Sequence, residues 1–124
     1  MSGKIKVLIA EDSSVILNLT KKILEFQNCE IFSAKNGHVV LEMLATSDYQ
    51  VILMDINMPG MDGIECTQKI RQLADSQKSN VPIIAITGNA KNYSMEEFKA
   101  HGFTDFLQKP LNFDVLVEKV KALA

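Results

Sequence analysis

The sequence lacks any long hydrophobic run: the longest are about five residues, far below the roughly 20 needed to span a bilayer. No signal peptide is visible in it, and none is expected, because the N-terminus is polar before it enters a short apolar run. It lacks an excess of either charge, with 13 Lys+Arg against 15 Asp+Glu and a formal net charge of −2. That balance excludes a protein that grips nucleic acid by bulk positive charge. There are no repeats, no low-complexity tracts and no Pro/Gly-rich linker. Cysteine is scarce. Cys29 and Cys66 stand far apart, outside any C-x-x-C pattern and beside apolar positions. They read as buried free thiols in a reducing compartment, which makes the expected location cytoplasmic.

What remains is globular. The 124 residues are 47% hydrophobic and 23% charged, enough to bury a core without disulfide or metal staples. One domain, residues 1–124, is expected. Apolar, β-branched-rich runs recur along it: Lys6–Ala10, Glu30–Ala34, Val51–Met54, Pro82–Ile86 and the short Asp105–Leu107. Runs of this kind suit parallel strands buried on both faces. Between them the apolar period is helical. Ile16, Leu19, Ile23 and Leu24 share a face, with Ser13 or Ser14 as cap. Val40, Leu41, Leu44 and Ala45 form a second stripe; Ile64, Thr67, Ile70, Leu73 and Ala74 form a third. Asn92–His101 reads as a more polar helix, stopped by Gly102 and lying loosely on the surface. Phe113, Leu116, Val117, Val120 and Leu123 form the last stripe, with Asn112 as its cap. Asp75–Asn80 reads as a polar surface loop. Five strands, each followed by a helix, predict an α/β fold with a doubly wound parallel sheet.

In such a sheet, ligands bind beyond the carboxyl ends of the strands. Glu11 and Asp12 follow the first strand, Asp55 the third; Thr87 ends the fourth, and Lys109-Pro110 follows the fifth. Each has an ordinary reading alone: a loop acid, a turn residue, a β-branched strand residue, a surface lysine. Five such coincidences at one sheet edge point instead to a site. Clustered carboxylates repel one another, and a hard divalent cation relieves that repulsion. Mg²⁺, or Mn²⁺ in its place, suits a few carboxylates together with phosphate oxygens. A phosphoryl group between the cation and Lys109 would be neutralised from both sides. Asp55, at the end of the central strand, is the best-placed nucleophile, and its product would be an acyl phosphate. The Thr87 hydroxyl and N–H groups of the loop after it would take the remaining phosphoryl oxygens.

At this point the chain resembles the receiver domain of two-component response regulators, over about Ile5 to Leu123. The resemblance rests on Glu11-Asp12, on Met54-Asp55-Ile56-Asn57-Met58-Pro59-Gly60-Met61-Asp62-Gly63, on Thr87-Gly88 and on Phe106-Leu107-Gln108-Lys109-Pro110. It implies a flavodoxin-like sheet of order 2-1-3-4-5 with five helices. It implies that Asp55 is the phosphoacceptor, and that Glu11, Asp12, Asp55 and the backbone carbonyl of Asn57 hold Mg²⁺. It makes Lys109 the phosphate-pairing lysine, with a cis bond to Pro110. Thr87 becomes the switch hydroxyl and Phe106 the switch aromatic. Phosphorylation would change partner affinity on the face of the fourth helix, fifth strand and fifth helix. The implied partners are a sensor histidine kinase or histidine phosphotransfer protein and an unidentified downstream protein, without direct contact to nucleic acid or membrane. The implied role is that of a signalling phosphoacceptor rather than an enzyme, catalysing only its own phosphoryl gain and loss.

Three positions depart from the commonest pattern: Glu11 for Asp, Gly88 for Ala, and Phe106 for Tyr. A nucleotide- or flavin-binding protein would need a glycine- or hydroxyl-rich loop where Glu11-Asp12 stands. An aspartyl-phosphate phosphatase would need an acid two positions after the nucleophile, where Asn57 stands. A receiver-like interaction domain that is never phosphorylated would not need the acids and Lys109. The 124 residues contain no output domain, and a stand-alone receiver is expected. The alternative is a module excised from a hybrid sensor kinase or longer regulator, as the Pro82–Pro110 segment suggests.

Overall fold

The computed structural model describes residues 4–88 and 94–124. The expectations placed on Met1–Gly3, Asn89-Ala90 and Asn92 lie outside these residues. In chain order the elements are β1 (Ile5–Ala10), α1 (Ser14–Glu25), β2 (Cys29–Ala34), α2 (Gly37–Thr46), β3 (Val51–Asp55), α3 (Gly63–Arg71), α4 (Ser76–Ser79), β4 (Ile83–Thr87), α5 (Met95–Ala100), β5 (Asp105–Gln108) and α6 (Phe113–Leu123). All strand pairs are parallel, in one sheet of order β2-β1-β3-β4-β5.

Burial explains the order. Every residue of β3 and β4 is buried, as the continuous Val-Ile-Leu-Met and Ile-Ile-Ala-Ile runs require of central strands. The outer strands carry exposed positions, at Glu30 and Ser33 in β2 and Gln108 in β5. Alternate strand residues feed two cores. Leu8, Ile52, Met54, Ile83 and Ala85 pack with α2, α3 and α5. Val7, Ile9, Leu53, Ile84 and Ile86 pack with α1 and α6. The period-2 alternation of side chains makes this partition automatic.

Three expectations require correction. Among the described residues there are six helices rather than five. Asp75–Asn80 is not a plain loop, because the Asp75 carboxylate accepts the N–H groups of Gln77 (2.9 Å) and Lys78 (3.4 Å) and winds a turn of helix. Helix α1 is rotated from its expected face. Leu17, Thr20 and Leu24 turn inward, while Leu19 is 49% exposed. Helix α5 is not loosely held: Phe98 is fully buried and belongs to the core.

The remaining termini follow the sequence. Ser13 caps α1, Asp62 caps α3 and Asn112 caps α6, each accepting a backbone N–H from the first helical turn. Gly102, at φ +104°, turns the chain out of α5. Both cysteines are free and buried, and burial pushes the Cys66 thiol up to about 12. Among the described residues no helix is long and apolar enough to cross a membrane.

Candidate functional site

Asp55 is the last residue of β3, the central strand, and its backbone continues into the β4 ladder through Ile56 N–H to the Ile86 carbonyl at 3.0 Å. The chain then closes back on itself. Gly63 N–H donates to the Ile56 carbonyl at 2.9 Å, and a Cβ on Gly63 would lie 2.4 Å from the Asp55 carbonyl oxygen. No other residue fits there. The Asp62-Gly63 pair therefore caps α3 and lets its first turn abut the strand end that carries Asp55. Asp55 itself is 2% exposed, and its Oδ1 accepts the Asn57 N–H at 2.9 Å.

The other acids arrive from β1. Glu11 N–H donates to Ala34 O at 3.1 Å, extending the β1–β2 ladder by one residue beyond the strand. Its side chain is 4% exposed, and its Oε2 accepts the Ser13 N–H at 3.1 Å. Asp12 is exposed beside it. One carboxylate oxygen from each of Glu11, Asp12 and Asp55 lies within 4.8 Å of the others. Burial, and then hydrogen bonding and charge from Asp55, push the Glu11 carboxyl up to about 7, although the Ser13 N–H and Lys109 pull the other way. Three crowded acids, one of them buried and resisting ionisation, are the donor chemistry that a hard divalent cation satisfies.

Lys109 closes the site from β5. Its N–H donates to the Thr87 carbonyl at 2.8 Å, and its bond to Pro110 is cis. Its Nζ lies 3.3 Å from Asp55 Oδ2 and 3.7 Å from Glu11 Oε1, bridging the two buried acids. Thr87 is buried at the end of β4, one strand over from Asp55. Phe106 is half-buried on β5, in register with Ala85, two residues before Thr87. Asn57 is exposed just beyond Asp55. The fold thus gathers Glu11, Asp12, Asp55 and Lys109 into direct proximity and sets Thr87 and Phe106 on the adjoining strands. An apolar groove of about 560 Å³ opens onto Lys109, between Ile16 and Leu19 of α1 and Gly88, Leu111 and Phe113. The structure also adds residues that carried no motif signal as site residues: Ser13, whose N–H holds Glu11, and Phe98, which stacks on Phe106.

Fold and site together place the chain among doubly wound α/β proteins with an acid cluster at the carboxyl edge of the sheet. The family model for the response regulator receiver domain matches residues 7–121. The chain belongs to that family, whose members are signalling modules of two-component phosphorelays. It is 34% identical over 117 residues to the CAI-1 autoinducer sensor kinase/phosphatase CqsS of Vibrio cholerae, covering 94% of this chain and 17% of that protein. It is 36% identical over 120 residues to hybrid signal transduction histidine kinase I of Dictyostelium discoideum, covering 93% of this chain and 7% of that one. Among solved structures it resembles the chemotaxis response regulator CheY4 of V. cholerae, with TM-score 0.86, 29% identity, and coverage of 98% and 99% of the two chains. It also resembles the receiver domain of sensor histidine kinase PA1611 from Pseudomonas aeruginosa PAO1, with TM-score 0.86, 27% identity and 98% of each chain covered. That structure is described with a magnesium ion coordinated in its active-site cleft.

Proposed function

We propose that residues 1–124 form one receiver unit that accepts a phosphoryl group on Asp55. The donor is a phosphohistidine of a sensor histidine kinase or a histidine phosphotransfer protein, and the readout is altered binding to a downstream protein. The observation that carries this reading is the direct pairing of Lys109 Nζ with Asp55 Oδ2 at 3.3 Å, inside the cluster made with Glu11 and Asp12.

An Asp55 oxygen attacks phosphorus in line with the leaving imidazole nitrogen. The new bond is O–P, the broken bond is P–N, and the histidine nitrogen recovers a proton. Lys109 moves its charge from the free carboxylate to the phosphoryl oxygens as the acyl phosphate forms. Thr87 supplies a hydroxyl to the same oxygens from the neighbouring strand. Glu11, Asp12, Asp55 and the Asn57 carbonyl would hold Mg²⁺, or Mn²⁺, which when bound neutralises charge accumulating on the phosphoryl group. The donor reaches the site over the apolar groove beside Lys109, where a Cβ on Gly88 would meet nothing within 4 Å among the described residues. Output passes through the face made by α5, β5 and α6. The unit turns over no separate substrate; it gains and loses only its own phosphoryl group.

The test is phosphorylation with acetyl phosphate, or with a phosphorylated kinase histidine domain, in the presence of Mg²⁺. Intact mass should rise by one phosphoryl group in the wild-type chain and not at all in Asp55→Asn. Stoichiometric, alkali-stable labelling of Asp55→Asn would refute the reading.

A further inference from the structure

Outside the acid site, an aromatic cluster joins α5 to β5. The Phe98 ring of α5 is fully buried and lies nearly parallel to the Phe106 ring of β5, with centroids 4.9 Å apart and planes at 18°. Phe103 meets Phe98 edge-on, at 5.9 Å and 82°. Phe98 is therefore fixed by the core around it, and Phe106, half-buried on an edge strand, lies on a rigid platform.

The register gives Phe106 a second place to go. It pairs with Ala85, the smallest side chain of β4, and side-chain alternation puts Ala85 and Thr87 on one face. A rotation of the Phe106 ring along that face would carry it over Ala85 toward Thr87 and would break the stack. In the structure the ring is stacked, and Lys109 pairs with the free carboxylate of Asp55.

We propose that Phe98 is a positioning residue that sets how readily the site takes up a phosphoryl group, because its stack holds the Phe106 ring away from Thr87. The inference rests on the phosphoacceptor reading above and adds the element that sets its threshold. An interaction present in one conformation and absent in the other shifts their ratio by its full strength. By reciprocity, whatever stabilises the stacked pose weakens any ligand that requires the other. Aromatic stacking beyond simple burial corresponds to a population ratio of about three- to tenfold. A ligand that needs the minor pose has its apparent dissociation constant raised by the same factor.

The experiment titrates beryllofluoride with Mg²⁺ into the full chain and follows amide shifts around Asp55 and Thr87. Phe98→Leu keeps an apolar side chain but has no flat face. Its half-saturation should fall about three- to tenfold below wild type. A purely structural role predicts weaker binding in Phe98→Leu, so a gain in affinity separates the two. Equal or weaker affinity in a folded Phe98→Leu chain overturns the proposal while leaving Asp55 as phosphoacceptor. If that variant does not fold, the wild-type chain decides. Ring-to-ring nuclear Overhauser contacts between Phe98 and Phe106 should vanish at saturating beryllofluoride, and their persistence overturns the proposal. A wild-type chain that neither responds to beryllofluoride nor takes a phosphoryl group on Asp55 overturns the phosphoacceptor reading and this one together.

Discussion

Glu11 is where the departure from an Asp-Asp pair matters physically. It is buried against Asp55, and its carboxyl is raised from an ordinary 4.5 to about 7. Folded Glu11 holds its proton more tightly than unfolded Glu11. Its contribution to stability is therefore complete below about pH 4.5 and is lost as pH rises through about 7. Above that pH the ionised Glu11 sits in the acid cluster with Lys109 as its cation, until a divalent ion joins them. Cation binding should then release a proton near neutrality and weaken by up to about tenfold per pH unit below 7. Calorimetric titration of Mg²⁺ at pH 6 and pH 8 checks this. Glu11→Gln removes the buried charge. At pH 8 without divalent cation it should melt higher than wild type, and added Mg²⁺ should raise its melting temperature less.

At the scale of elements, the site depends on how helices begin. Helix α3 starts at the residue that touches the Asp55 carbonyl, so its first turn must be rigid if Asp55 is to be. Asp62 supplies that rigidity by accepting the Glu65 N–H at 2.8 Å. Asp62→Ala should cost about 1 kcal/mol, the ordinary loss of an N-cap, measured by urea denaturation. Its amide shifts should concentrate around Asp55 to Gly63, because the loop between β3 and α3 is the segment the cap holds in place. Helix α1 makes the opposite point. Leu19 reads as a core position by spacing, yet it is 49% exposed, and Val15 at 75% and Phe26 at 88% share the outward side. An apolar helix with more than one plausible stripe does not declare which face goes inward. Thr20 can turn inward with Leu24 because its hydroxyl donates to the Ile16 carbonyl at 2.8 Å and so needs no outside partner when buried.

Across the whole molecule, the two ends of the sheet do different work. The carboxyl ends of the strands hold the acids and Lys109. The amino ends of β4 and β5 are tied together by Arg71 at the close of α3. Its guanidinium donates to the carbonyls of Gly102 at 2.8 Å, Ser79 at 2.8 Å and Val81 at 2.6 Å. It has no carboxylate among these partners, and burial pulls its pKa below the ordinary value. Arg71→Met keeps the stem and strands those carbonyls. It should cost about 2–4 kcal/mol in chemical denaturation, since charged hydrogen bonds to part-buried acceptors are lost together. Because the substitution lies at the far end of the strands, Asp55 should still accept its phosphoryl group at the wild-type rate. Loss of labelling in a folded Arg71→Met chain would mean that the two ends are mechanically coupled.

Period and local chemistry were readable along the chain. Five apolar runs with helical stretches between them dictate a parallel sheet, because strands buried on both faces cannot alternate polar and apolar residues. That Glu11, Asp12, Asp55, Thr87 and Lys109 gather at one edge was legible because strand ends in such a sheet share it. The capping roles of Ser13 and Asn112 were legible because a cap is decided within four residues of chain. Three features were settled only in three dimensions: the inward face of α1, the burial of Phe98 and its stack on Phe106, and the closure of Arg71 on carbonyls from two other segments. Each depends on which surfaces meet after the sheet has formed. Neither residue spacing nor propensity carries that information, because the partners of Phe98 and Arg71 are chosen by packing between elements rather than along one.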